Sequence, residues 1–242
     1  MRSLERWQYR PDETPVVTHR RVGAFALNKY PTLNAWYRLY DPDHGLRGDN
    51  QALYERISGD PNTPAIFVSW YDAWAFCRWA SWDGECCRLP HEDEWEYACK
   101  ACDQCTEHQP CANGGPCDWN YWWGDGFLQA RCTANQPYAT GSTTPPASHD
   151  RDGPTGHRNA RGLVDMNGNV WEWTDDTYRE RYERTDTTKA SPSAARVLRG
   201  GSWSLEPLDV RSSLRLDFHP SYSDGLTGFR VCRVVCVARG SS

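Results

Sequence analysis

No stretch of this 242-residue chain is apolar for long enough to cross a membrane as a helix. Its beginning, Met1-Arg-Ser-Leu-Glu-Arg-Trp7, lacks the apolar centre of a secretory leader. Both absences point to a cytoplasmic protein without a membrane segment. Excess positive charge is missing too: 27 basic against 32 acidic residues give −5, which argues against nucleic acid as a partner. Apolar residues make up only 38% of the chain, and mean hydropathy is −0.80. Aliphatic burial alone cannot carry the core, so it must rest on the 13 Trp and 12 Tyr. A chain of this length holds one substantial core, and the profile suits a loop-rich, single-domain α+β fold.

Several catalytic signatures are also missing. There is no Gly-x-Ser-x-Gly turn and no phosphate-cradling glycine loop. The seven histidines, at 19, 44, 91, 108, 149, 157 and 219, include no helical i, i+4 ligand pair. Between Ser204 and Thr227 there is no cysteine and a single histidine.

What is present has recognisable order. Residues 1–20 are polar and read as an arm or linker, with the domain running over 21–240. Val22-Gly-Ala-Phe-Ala-Leu27 alternates like a short strand. Three amphipathic helices follow. Thr32 caps the first, with Leu33, Trp36, Tyr37 and Tyr40 on one face. Ser69 caps the second, with Asp72 three residues on and Trp70, Ala73, Trp74 and Cys77 on one stripe. Pro90 and His91 open the third, with Glu94 following and Trp95, Ala98, Cys99 and Cys102 aligned. The stretch from Cys105 to Cys132 is irregular, and Thr140–Pro154 reads as a flexible surface loop. Val231-Cys-Arg-Val-Val-Cys-Val237 alternates as a closing strand. On it Cys232 and Cys236 read as small buried hydrophobes. No internal repeat is present.

Six phrases, in order, carry a family resemblance. They are Lys29-Tyr-Pro-Thr-Leu-Asn-Ala-Trp-Tyr37, Val68-Ser-Trp-Tyr-Asp-Ala73, and Arg88-Leu-Pro-His-Glu-Asp-Glu-Trp-Glu-Tyr-Ala98. Asp165-Met-Asn-Gly-Asn-Val-Trp-Glu-Trp173, Arg199-Gly-Gly-Ser-Trp203 and Gly228-Phe-Arg230 complete the set. Together they resemble the formylglycine-generating-enzyme (sulfatase-modifying factor) superfamily over residues 20–237. The resemblance implies a variant of the C-type lectin fold. That superfamily holds copper-dependent oxidases, iron-dependent sulfoxide synthases and the non-enzymatic variable proteins of diversity-generating retroelements, so fold alone leaves function open.

The oxidase branch holds copper between two cysteines shortly after the Gly-Gly-Ser-aromatic turn. Here that region reads Ser204-Leu-Glu-Pro-Leu-Asp-Val-Arg-Ser-Ser-Leu214, without the soft sulfur that Cu(I) prefers. No copper is expected, and the chain reads as a non-enzyme. The variable-protein branch fits the region about 196–230 better. Adenine-directed mutagenesis of Asn codons cannot produce Lys, Glu, Gln, Met or Trp, and only Glu206 between 204 and 227 belongs to that set. Candidate ligand contacts are Ser204, Leu205, Leu208, Asp209, Leu214, Leu216, Asp217, Phe218, His219, Tyr222 and Asp224. The rival reading makes the apolar members core. Trp203 is expected to floor the site, with Arg211 and Arg215 as braces. The implied role is to bind an unknown ligand, a protein by expectation, as a monomer. A metal-dependent oxidoreductase of the same superfamily is the alternative.

Two metal sites are expected as candidates. The resemblance implies calcium on Asp165 and Glu172, with the carbonyls of Gly168 and Val170. A metal-free turn with Trp171 and Trp173 packed inside is the other reading. Cys102, Cys105, Cys111 and Cys117 form a zinc candidate, with disulfide stapling of that loop as its rival.

Overall fold

The computed structural model describes residues 24–46, 49–82, 85–101, 119–153, 155–179 and 191–235. The expected arm at 1–20, Val22, Cys236 and the zinc candidates Cys102, Cys105, Cys111 and Cys117 lie outside them.

Among the described residues four helices and seven strands follow in order: β1 (Ala26–Leu27), α1 (Asn34–Tyr40), α2 (Gln51–Ser58), α3 (Trp70–Ala80), β2 (Glu85–Arg88), α4 (Glu92–Lys100), β3 (Trp171–Thr177), β4 (Arg196–Arg199), β5 (Arg215–Phe218), β6 (Thr227–Phe229) and β7 (Cys232–Val235). They build two small sheets. In one, β7 lies between β1 and β2, antiparallel to both. The other runs β5-β4-β3-β6, antiparallel except where β3 pairs with β6 in parallel, Trp171 opposite Thr227. The result is a mixed α+β domain, as composition suggested.

Helix starts follow local chemistry unevenly. Ser69 caps α3 through a capping box: its hydroxyl accepts from the Asp72 amide at 3.2 Å, and Asp72 accepts from the Ser69 amide at 3.0 Å. At α4, Glu94 accepts from the His91 amide at 2.7 Å. The expected Thr32 cap fails. Leu33 stands at that position, while Thr32 is buried and its carbonyl is taken by the Ala65 amide. Helix α2 lies outside the three expected helices, although Leu53, Tyr54 and Ile57 share one face of it and Tyr54 and Ile57 are buried. On α3 the buried stripe is Trp70, Ala73, Phe76 and Cys77, while Trp74 faces outward.

The main core brings α3 onto strands of both sheets through Tyr37, Phe76, Leu89, Trp171, Trp173, Leu198, Leu214 and Phe229. Its aromatics interlock: Tyr37 stacks on Phe76 at 5.4 Å, and Phe229 meets Phe76 edge-on at 5.3 Å. Beneath β4 runs a buried ionic network. Arg199, fully buried, pairs with Glu96 and lies 3.6 Å from Glu92. Glu92 also takes the Arg215 guanidinium at 2.5 Å, and Lys100 reaches Glu96 at 2.7 Å. Burial alone would raise Glu96, but Lys100 and Arg199 outweigh it and hold the carboxyl down at about 2.

The stretch 140–153 is not the free surface loop its composition suggested. Thr143 is buried, with its amide and hydroxyl both on the Ile57 carbonyl, and Pro146–His149 forms a 3-10 turn. Among the described cysteines Cys86 is disulfide-bonded, and Cys77, Cys87, Cys99, Cys132 and Cys232 are free and buried.

Candidate ligand-binding site

The segment after β4 turns on two glycines in the left-handed region, Gly200 at φ +94° and Gly201 at φ +76°. A side chain at Gly201 would place its Cβ 2.4 Å from the Asp209 carbonyl, so the turn needs glycine for space as well as conformation. This turn drives Trp203 inward to complete burial. Its amide donates to the Asn169 carbonyl at 3.0 Å, and its indole N–H to the Gly225 carbonyl at 3.1 Å. Trp203 therefore ties the start of the segment to its end.

Tyr138 stacks on Trp203, with ring centres 5.4 Å apart and planes 20° apart. It is 49% exposed, and Arg56 fixes its loop by donating to the carbonyls of Tyr138 and Gly141. Near it, Phe218 and Tyr222 lie face to face at 4.0 Å, and both are half-buried. The Tyr222 hydroxyl donates to Asp224 at 2.6 Å, and the second Asp224 oxygen accepts from the Leu226 amide and the Thr227 hydroxyl. Burial pushes the Tyr222 phenol up; Asp224 adds to the shift, as does Tyr138, whose ring lies within electrostatic reach. Tyr138 thus covers the buried Trp203 indole, while Phe218 and Tyr222 pack as a stacked pair against the main core with part of each ring exposed.

The other candidate residues divide in two. Leu205 is half-buried against Tyr121, Ala134 and Val210, and Leu208 is exposed on the 3-10 turn Pro207–Val210. Ser204 and Asp209 are half-buried beside them; Tyr121 anchors the turn by donating to the Pro207 carbonyl at 2.7 Å. Asp217 and His219 are exposed, and His219 bonds the Ser221 hydroxyl at 2.7 Å. Leu214 departs from the expectation of a ligand contact. It is 2% exposed and belongs to the main core, in the turn just before β5 where its amide donates to the Arg211 carbonyl. Leu216, half-buried, packs against the same core. Arg211 donates to the Leu208 carbonyl, and Arg215 to Glu92 and the Arg179 carbonyl. No sequence signal marks Tyr138, which stacks on Trp203 from 65 residues away (203 − 138), or Arg56, which holds the Tyr138 loop.

The carboxylates of the calcium candidate are held by protein donors. Glu172 accepts from the Trp95 indole at 2.7 Å and from two Arg230 nitrogens, at 3.1 and 2.8 Å. Asp165 bonds His157 at 2.6 Å and Asn169 at 2.8 Å. A cation on Glu172 would sit against the Arg230 guanidinium, and one on Asp165 would displace His157 or Asn169. The loop itself folds through positive φ at Asp165, Gly168 and Asn169, with Trp171 and Trp173 buried. The residues do not fit a calcium ion as they stand. Among the described residues no three His, Cys, Asp or Glu side chains gather as a metal site. The free thiols are held protonated by burial: Cys99 and Cys232 are pushed up to about 12, and Cys77, Cys87 and Cys132 are raised as well.

The family described as sulfatase-modifying factor enzyme 1-like domain matches residues 5–235. The chain belongs to this family. Its relatives divide by function. A formylglycine-generating enzyme of Streptomyces coelicolor is 35% identical over 77% of this chain and 57% of its own length. The inactive C-alpha-formylglycine-generating enzyme 2 of Mus musculus is 31% identical over 69% of this chain and 48% of its own. The chain thus spans about half the length of these curated relatives. Among solved structures, Treponema denticola variable protein 1 superposes with a TM-score of 0.61 at 20% identity, covering 87% of this chain and 84% of its own. PvdO from Pseudomonas aeruginosa gives 0.62 at 23%, covering 86% and 80%. These place the chain in the C-type lectin-like fold of the formylglycine-generating-enzyme type. No described helix is long and apolar enough to cross a membrane.

Proposed function

We propose that this family member is a non-catalytic ligand-binding protein whose surface includes Phe218, Tyr222 and Tyr138, diversified by a retroelement through residues about 196–230. The observation that carries the reading is the patch itself. Phe218 and Tyr222 offer a stacked pair of partly exposed rings, and Tyr138 a third ring stacked on the buried Trp203 indole. Rings of this kind make good anchors for a protein partner, since they contribute contact area at small entropic cost. The segment between Ser204 and Leu214, where the oxidase branch places its copper ligands, carries no sulfur. Its side chains are also, Glu206 apart, of the types that Asn-codon mutagenesis reaches.

Two experiments test the halves of this reading. The DNA beside the gene should contain a near-copy of the region encoding Arg196–Arg230, differing only opposite adenines, next to a reverse-transcriptase gene; a complete locus without them sinks the diversification. For binding, a partner selected on the intact protein should be lost by tenfold or more on Phe218→Ala and on Tyr222→Ala, with the melting curve still cooperative. Retention by both variants removes the patch as the ligand surface.

The second reading, a metal-dependent oxidoreductase, is favoured by the 35% identity to a formylglycine-generating enzyme. Copper-dependent oxidation of a cysteine-bearing peptide by the purified chain would establish it in place of the first.

A further inference from the structure

The chain exposes several large apolar side chains on α1 and α3. On α3, Tyr71, Trp74 and Trp79 are 41 to 50% exposed, and Trp82 just beyond the helix is 75% exposed. Helix α1 packs beside α3, with Tyr40 against Trp79 at 5.7 Å, and adds Trp36 and Leu39. Surfaces of this kind, contiguous and rich in tryptophan, mark interaction sites on soluble proteins.

The charges on α3 say what fits. Its only charged residues are Asp72 and Arg78, one of each sign, and both are exposed. They lie three residues on either side of Ala75. Two copies of α3 packed antiparallel about a two-fold axis at Ala75 bring each residue level with the one equally far beyond the axis. Asp72 then faces Arg78 of the second copy, twice over, and Tyr71 faces Trp79. The small Ala75 side chain at the crossing lets the helices approach to roughly 8–10 Å. Asp72 is already oriented by its bonds to the Ser69 amide and hydroxyl. Arg78 lies over the Trp74 ring at 5.9 Å. A parallel pairing would instead set Arg78 against Arg78 and Asp72 against Asp72. A strongly acidic or basic partner would leave one of the two charges opposed.

We propose that the α1–α3 face is the interface of a symmetric dimer of this chain, with α3 crossing its own copy antiparallel at Ala75. This replaces the monomer expected from the sequence, and it does not depend on the ligand reading. Such an interface is isologous, as two-fold dimers require.

Sedimentation velocity on the intact chain, from about 1 to 100 µM, tests it. The 27.7 kDa species should give way to one of twice that mass as concentration rises. Arg78→Asp, on an exposed position, should weaken association at least tenfold while leaving the melting curve in place. Ala75→Cys should cross-link to a covalent dimer on mild oxidation, and Glu55→Cys on the exposed side of α2 should not. A wild type that keeps one mass over the whole range overturns the dimer. A dimer indifferent to Arg78→Asp, with Glu55→Cys linking as readily as Ala75→Cys, overturns this face as its interface.

Discussion

At the scale of single residues, buried charge sets the strongest constraints. Glu96 lies between Lys100 and Arg199, and its carboxyl is held at about 2 against an ordinary 4.5. A carboxyl lowered in the folded state stabilises above its unfolded value, and that contribution is lost as pH falls through the folded one. Glu96→Gln should therefore cost about 3 kcal/mol in urea unfolding at pH 7, since it takes a buried carboxylate away from both Lys100 and Arg199. The gap between variant and wild type should close as pH falls from 4.5 towards 2. A gap unchanged across that window would mean that Glu96 is not the titrating group. None of this was legible in the sequence, where Glu94 announced itself as a capping residue and Glu96 was one more polar position on α4. Its partner Arg199 lies 103 residues away. Trp203 was legible as the aromatic that closes the Arg199-Gly-Gly-Ser phrase, and the structure buries it fully.

At the scale of elements, caps and turns decide what forms. Ser69→Ala removes one half of the α3 capping box and should cost about 1 kcal/mol, read from the urea midpoint at unchanged slope. Gly201→Ala should cost more, about 2 kcal/mol or above, because the left-handed turn penalises any Cβ and this one would meet the Asp209 carbonyl. If Gly201→Ala proved as mild as Ser69→Ala, the turn would not be fixing the Pro207–Val210 segment. Ser69 with Asp72, and His91 with Glu94, could be read directly because capping chemistry is local. Thr32 misled because its carbonyl serves the Ala65 amide instead of a helix start. The stripe on α3 misled differently: periodicity groups Trp74 with Trp70, but the sheet beneath takes Phe76 and leaves Trp74 outside.

At the scale of the whole molecule, the Asp165–Glu172 loop bears on cofactor use. Arg230 supplies positive charge beside Glu172, and His157 and Asn169 each bond one oxygen of Asp165. Calorimetric titration with calcium after chelation should give no stoichiometric heat, and chelator should leave the melting temperature unchanged. One equivalent bound, with a rise in melting temperature, would require Arg230 or His157 to move aside. Linear order was enough to reveal the family, the aromatic core, the two capped helices and the turn that buries Trp203. Those features depend on residues adjacent in the chain, or on ordered phrases that survive without contact information. Three-dimensional packing was needed to show that Leu214 is core, that Tyr138 stacks on Trp203, and that Glu172 answers to Arg230. Each of these depends on which distant segment arrives beside the residue, and side-chain type alone does not specify that neighbour.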